Sequence, residues 1–420
     1  MAHRMRSEVL LVFIVVCCLL PVPSGAQNTA ELSTTSSGIQ NGPGQFRLFI
    51  PSPDSISSIQ ITDLINGQHG EVIVATANGL STYNGSWITQ HLNRANISAG
   101  LMDDFVTAVE YDNTGNLWIG FKSGIQIYNG VSYISIRDQQ VLKDPRINVL
   151  QRWNSDMWVA TGTAGIHRYR NGSWTWYQPF APGGPGFYRV DSMVPDSTDD
   201  TLLIATDHEG LWRITIPNET VQFDEIQDKN GPFGLLEHVR RDPFGGAYFF
   251  NSSLVAHYDE SSGFTTVLSG RVLEPPSIPI NDLDKGSNGK LYLATNDGIF
   301  VWAGGAVSEH LGRFEGIGAS PIVKTVKTDA YGRVWFSTAA VMGFYTGDAS
   351  SSAPITVEIA TLAINATAPA PNSTSATPSP GAVVTTQLPV PVVTAAPSRT
   401  LFDQIMDLIS KLWPSFSGSR

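Results

Sequence analysis

Between residues 59 and 346 one pattern occurs seven times. Its period of 40–45 residues, filled by short strands, fits a closed ring of small sheets. The clearest copy runs from Val106 through Asp112, Gly115, Leu117, Trp118, Ile119 and Gly120 to Gly124 and Tyr128. The bulky residue in the middle of its second strand falls at Ile73, Trp118, Trp158, Leu203, Tyr248, Tyr292 and Trp335. The steps between them are 45, 40, 45, 45, 44 and 43 residues. A small residue follows each at Ala75, Gly120, Ala160, Ala205, Ala294 and Ser337, with Phe250 the exception. The third strand opens on glycine at Gly79, Gly124, Gly165, Gly210 and Gly298, and on Leu254 and Val341 in two degenerate copies. It ends on a large residue: Tyr83, Tyr128, Tyr169, Ile214, Tyr258, Trp302 and Tyr345.

Each column has a physical reason. Asp112 to Gly115, Asp242 to Gly245 and Asp329 to Gly332 are turns in which Asp caps and Gly accepts positive φ. The small residue fits where radially packed strands crowd. Asn84-Gly85, Asn129-Gly130 and Asn171-Gly172 predict type I′ hairpins into a fourth, outer strand. The expected fold is therefore all-β: a seven-bladed propeller of four-stranded antiparallel blades over residues 46–347. A lone blade cannot cover both of its faces, and a ring of blades can. Copy seven runs out of strand after Tyr345, while Phe46–Ile50 has no partner of its own. Residues 46–50 are predicted to supply the outer strand of the last blade and close the ring.

This repeat resembles the two-component-regulator propeller repeats of extracellular sensor domains. Their pattern is a strand, D-x-x-G, L-W-I-G-T, x-x-G-L and an aromatic, and Asp112 to Tyr128 matches it best. The resemblance covers about residues 46–346. It implies the propeller fold and, more loosely, ligand sensing. The sensor kinases that carry such repeats continue into a membrane span and signalling domains. Neither is expected from this sequence, so a signalling role would imply a partner.

Residues 1–26 read as a secretory signal peptide. Arg4 and Arg6 give the basic end, Val9 to Leu20 an apolar run of 12, and Ser24-Gly25-Ala26 a cleavage region. The alternative is an uncleaved membrane anchor. Residues 27–45 read as disordered. Cys17 and Cys18 both lie in the apolar run, so the mature chain has no cysteine and holds together by its core alone. The expected location is secreted, extracellular or cell-surface. The formal charge is −11, and residues 351–420 balance their own charges, so the acidic excess sits on the propeller. An acidic ring repels phosphate backbones, which argues against nucleic acid as a partner.

Residues 348–400 are dominated by Ala, Thr, Ser, Pro and Val and predict an extended linker, with glycosylation sequons at Asn365 and Asn372. Residues 401–414 predict a short amphipathic helix, with Leu401, Ile405, Leu408, Ile409 and Leu412 on one face and Pro414 as the stop. Docking of 401–413 to a membrane surface or partner groove is one reading. Folding back onto the propeller is the other.

No catalytic residue, metal or cofactor is assigned. Ligand candidates come from the face shared by the second-to-third-strand loops and the blade-to-blade connections: Asn78, Lys122, Asp207, His208, Glu209, Asn296 and Asp297. Asp207-His208-Glu209 is the richest, and a histidine between carboxylates is suited to acid–base work. The simpler reading is a solvated turn. An aromatic stretch joins blades three and four. Trp174, Trp176 and Phe180 are expected between blades, and Tyr177, Phe187 and Tyr188 on the exposed face, where Tyr stacks well on sugar rings. The reading is a binding module for a small molecule, glycan or protein. The alternatives are a secreted propeller enzyme, such as a lyase or glycan-acting hydrolase, and a structural envelope protein.

Overall fold

The chain is described here as a computed structural model. It describes residues 39–41 and 46–347, apart from 197, 199, 228–231, 270, 271 and 274–276. The expected signal, linker, sequons at Asn365 and Asn372 and segment 401–414 lie outside the described residues.

Seven antiparallel sheets follow one another along the chain. Blade one is Ile61–Asn66, Val72–Thr76, Gly79–Tyr83 and Trp87–Gln90, paired in sequence order. Blades two to six repeat that order over residues 106–136, 147–177, 190–225, 238–269 and 280–311. The second strands are buried along their whole length, because each lies between neighbouring blades. Among the described residues the apolar core falls into seven clusters, one at every blade-to-blade contact. Burial of this kind is worth roughly 25 cal/mol per Å², and no blade has it alone.

The ring closes as the repeat count requires. Phe46–Phe49 pairs with Met342–Tyr345, Phe46 opposite Tyr345 and Phe49 opposite Met342. Phe49 then packs with Tyr83, Trp87, Trp335 and Phe344, which ties blade seven to blade one. Gly343 permits the join, since a Cβ there would lie 2.6 Å from the Arg47 carbonyl.

Two expectations are corrected. The segment 27–45 is not without structure at its end: Ile39–Asn41 pairs with the closing strand as a fifth strand of blade seven. Of the three Asn-Gly hairpins, Asn171-Gly172 alone has positive φ at both residues (50° and 82°). The loops at Asn84 and Asn129 are longer. There the Asn129 side chain accepts from Val131 N and Ser132 N, shaping the turn without positive φ at Asn.

Candidate functional site

Every innermost strand leaves one edge facing the central channel, with its N–H and C=O groups unpaired by any other strand. The preceding blade answers with side chains. Asp63 accepts from Val109 N at 2.9 Å, Ser192 from Val239 N at 2.7 Å and Asp282 from Val326 N at 3.2 Å. Thr62 donates to the Val106 carbonyl at 2.7 Å and Asn281 to the Val323 carbonyl at 2.6 Å. These polar residues hold the ring together from inside, because an unanswered buried backbone group costs about 1–3 kcal/mol.

The channel encloses about 660 Å³, lined among others by Asp63, Glu110, Arg152, Asp191, Arg240 and Lys327. Burial raises the Asp63 and Asp191 carboxyls. Burial pushes Glu110 up to about 7, with the charge of Asp63 adding to it. For Arg240, burial opposes the charge, and Asp282, Asp284 and Asp63 outweigh it, so the guanidinium is held above its ordinary value.

The loop-side mouth is richest at blades four and five. Arg189 bridges Asp191 at 3.1 Å and Asp207 at 2.9 Å. His208, held at φ 66°, meets Asp207 at 2.6 Å and Glu237 at 3.8 Å. The hydrogen bond to Asp207 raises the His208 imidazole. Glu209 accepts from Tyr188 N at 2.7 Å and from Arg189 N at 3.3 Å, which fixes the connection against the loop. Beside it Tyr188 and Phe180 are 51% and 58% exposed, with ring centroids 4.9 Å apart.

Of the sequence candidates, Asp207, His208, Glu209 and Tyr188 come together here. Asn78, Lys122, Asn296 and Asp297 lie on the same face but on blades one, two and six. Lys122 covers the Phe105 ring at 4.2 Å, and Asn296 accepts from Asn281 at 3.0 Å. Phe187 was expected on the surface and is fully buried against Trp212. Tyr177 was expected there too, and its ring stacks on Trp158 between blades three and four. Trp176 errs the other way, exposed with its Nε1 donating to the Ala164 carbonyl at 2.8 Å, and so does Phe180. The strand Ser173–Tyr177 ends before it, so the alternation that places Trp174 inside does not reach it. Sequence reasoning missed Arg189, Asp191, Glu237 and Arg240. A signal existed, since a charge such as Arg240 inside a strand as short as His238–Arg241 marks an edge that water reaches.

Among the described residues no group of His, Cys, Asp and Glu is placed to hold a metal ion, and no helix is long and apolar enough to cross a membrane.

By sequence, no family model and no curated relative matches the chain. By structure it is similar to the extracellular domain of the hybrid two-component system BT4673 from B. thetaiotaomicron. That match has 15% identity and TM-score 0.58 and covers 72% of this chain and 39% of the other. It is similar also to the extracellular domain of BT3049 from B. thetaiotaomicron, at 17% identity, TM-score 0.53 and 69% and 40% coverage. A streptogramin B lyase matches at 14% identity and TM-score 0.55, covering 71% of this chain and 96% of the lyase. The chain spans about two fifths of the length of the sensor domains it matches. At these identities the likeness shows the fold alone, and solved structures of that fold include extracellular sensor domains and a lyase.

Proposed function

We propose that the protein is a secreted or surface-attached binding module of the two-component-regulator propeller type. Its ligand site is the loop-side rim at blades four and five. The observation that supports this is the Phe180–Tyr188 pair, two half-exposed rings in contact, bordered by Glu209, Arg189, Asp207 and His208. Aromatic faces beside fixed polar groups suit a ring-bearing polar ligand such as a glycan. The test is a glycan array and a thermal-shift screen of polar metabolites. A ligand of the native state raises Tm, and Tyr188→Ala removes that rise. Hits that bind equally well to Tyr188→Ala defeat the reading.

A second reading is enzymatic. His208 between Asp207 and Glu237 is the histidine–carboxylate convergence that a propeller enzyme needs at its channel mouth. Under that reading turnover of a bound ligand collapses in His208→Gln while binding persists. A binding module shows no turnover in either protein.

A further inference from the structure

The two ends of the channel are lined by different charged groups. At the loop end the inner strands and the residue before each hold Asp63, Asp191, Glu237 and Asp282 against Arg146, Arg189 and Lys324. At the hairpin end, in the last two positions of those strands, they hold Arg152, Arg240, Arg241, Lys285 and Lys327 against Glu110 and Asp284. Register fixes the placement: Arg152 lies opposite Met157, Arg241 opposite Ala247 and Lys327 opposite Trp335, next to their turns.

The acids of that end are already engaged. Asp284 accepts from Thr328 N at 2.7 Å, from Thr328 Oγ1 at 2.6 Å and from Lys327 at 3.4 Å. Glu110 is half-buried and is pushed up to about 7, so it is partly neutral at physiological pH. The turn aspartates Asp112, Asp196, Asp242 and Asp329 direct their oxygens into their own hairpins. Blade three has no turn aspartate, because its two-residue turn Asn154-Ser155 puts Trp153 at that position. In the channel lining itself this end presents Arg152, Arg240, Arg241 and Lys327 beside Glu110, in a chain whose formal charge is −11.

Arg152 stands at the rim. It is exposed, it lines the channel with Arg240, Arg241 and Lys327, and its charge acts on Glu110. Arg240 lies deeper, 2.9 Å from Asp282 and donating to the Val239 carbonyl at 3.1 Å. Guanidinium forks match paired oxygens, and low-dielectric channel walls concentrate the field on whatever enters.

We propose that the hairpin-side mouth is a second binding site, for a small soluble molecule bearing a carboxylate or phosphate group. Arg152 makes the first contact, and Lys327 and Arg240 hold the oxyanion further in. This site is on the face opposite the Tyr188 rim and does not depend on it.

The test is calorimetric titration of the purified full chain with inorganic phosphate and, separately, with succinate, at ionic strength held constant with sodium chloride. The expected result is saturable binding of at least one of them. Arg152→Gln should weaken it about tenfold, the scale of one charged hydrogen bond. Lys327→Gln should weaken it too, and Arg94→Gln, an exposed change on the loop face, should leave it unchanged. Binding of phosphate alone assigns the site to phosphate esters, and binding of succinate alone to carboxylates. Arg152→Lys keeps the charge without the fork and should fall between wild type and Arg152→Gln. The proposal is overturned if neither anion binds beyond the chloride background. Binding that survives Arg152→Gln but is lost in Tyr188→Ala overturns it as well, because the anion then sits at the other mouth.

Discussion

In the third strand of blade two, Gln126 is fully buried and every polar atom of its amide is used. It accepts from Met102 N at 2.8 Å and donates to the Ile97 carbonyl at 2.9 Å and the Gly100 carbonyl at 3.2 Å. In blade three the same column holds His167, equally buried, and neither ring nitrogen has a partner among the described residues. The second strands differ in the same way. Trp118 donates its indole N–H to Asp112 at 3.0 Å, as Trp335 does to Asp329 at 2.7 Å. Trp158 of blade three is buried with that N–H unpartnered, because Trp153 occupies the aspartate's place. Blade two is a fully bonded copy of the repeat. Blade three keeps the packing, gives up these two bonds and holds a buried Arg168–Asp156 ion pair instead, and it is also the blade that lends Arg152 to the channel mouth. Columns that fill space are obligatory in this ring, and columns that hydrogen-bond are replaceable wherever packing alone suffices.

Gln126→Ala is expected to be the most damaging change. It leaves one buried N–H and two carbonyls unanswered and should cost about 3–4 kcal/mol in urea unfolding. His167→Leu should cost nothing or stabilise. A His167→Leu loss as large as that of Gln126→Ala would show that the His167 imidazole has a bonding partner after all.

The two blades should also titrate in opposite senses. Burial, helped by the charge of Lys143, lowers His167 to about 4. Its contribution is present above the unfolded value near 6.5 and is lost as pH falls through about 4. Glu110 is raised to about 7, so its contribution is present below the unfolded value near 4.5 and is lost as pH rises through about 7. His167→Leu should flatten the acid limb of a stability–pH curve by about 2 kcal/mol. Glu110→Gln, which supplies the amide that blade three carries at Gln151, should recover a similar or smaller amount above pH 7. Unchanged limbs in both variants would mean that water enters the blades and solvates these groups.

Asp112→Ala removes the acceptor for Thr114 N, Asn116 N and Trp118 Nε1, and should cost about 2 kcal/mol. Those bonds hold the Asp112 carboxyl below its ordinary value against the opposing effect of burial. The smallest contrast is the most diagnostic. Trp118→Phe should cost about 1 kcal/mol more than Trp158→Phe, since one indole N–H has a partner and the other has none. Equal losses would mean that ring volume alone matters at both sites.

The repeat made most of this architecture legible. Seven copies, the Asp-x-x-Gly turns and the orphan Phe46–Ile50 strand all reflect local chemistry at fixed spacing, and the ring closes through them. The site was legible only in part. Asp207, His208, Glu209 and Tyr188 were visible as loop residues, but nothing local said that Arg189, Asp191 and Glu237 would meet them. Phe187 was misplaced because an aromatic after a glycine-rich turn looks the same in sequence whether it faces water or Trp212.

The order of residues by itself determined the number of blades, the strand boundaries and the segment that seals the ring. Each of these follows from hydrophobic period and turn preference within about 45 residues. Tertiary structure decided the channel. Its lining draws residues from all seven inner strands, and its charges act on one another only once closure sets Arg240 of blade five near Asp63 of blade one. Electrostatic fields add through space and not along the chain, so no local reading of the sequence contains them.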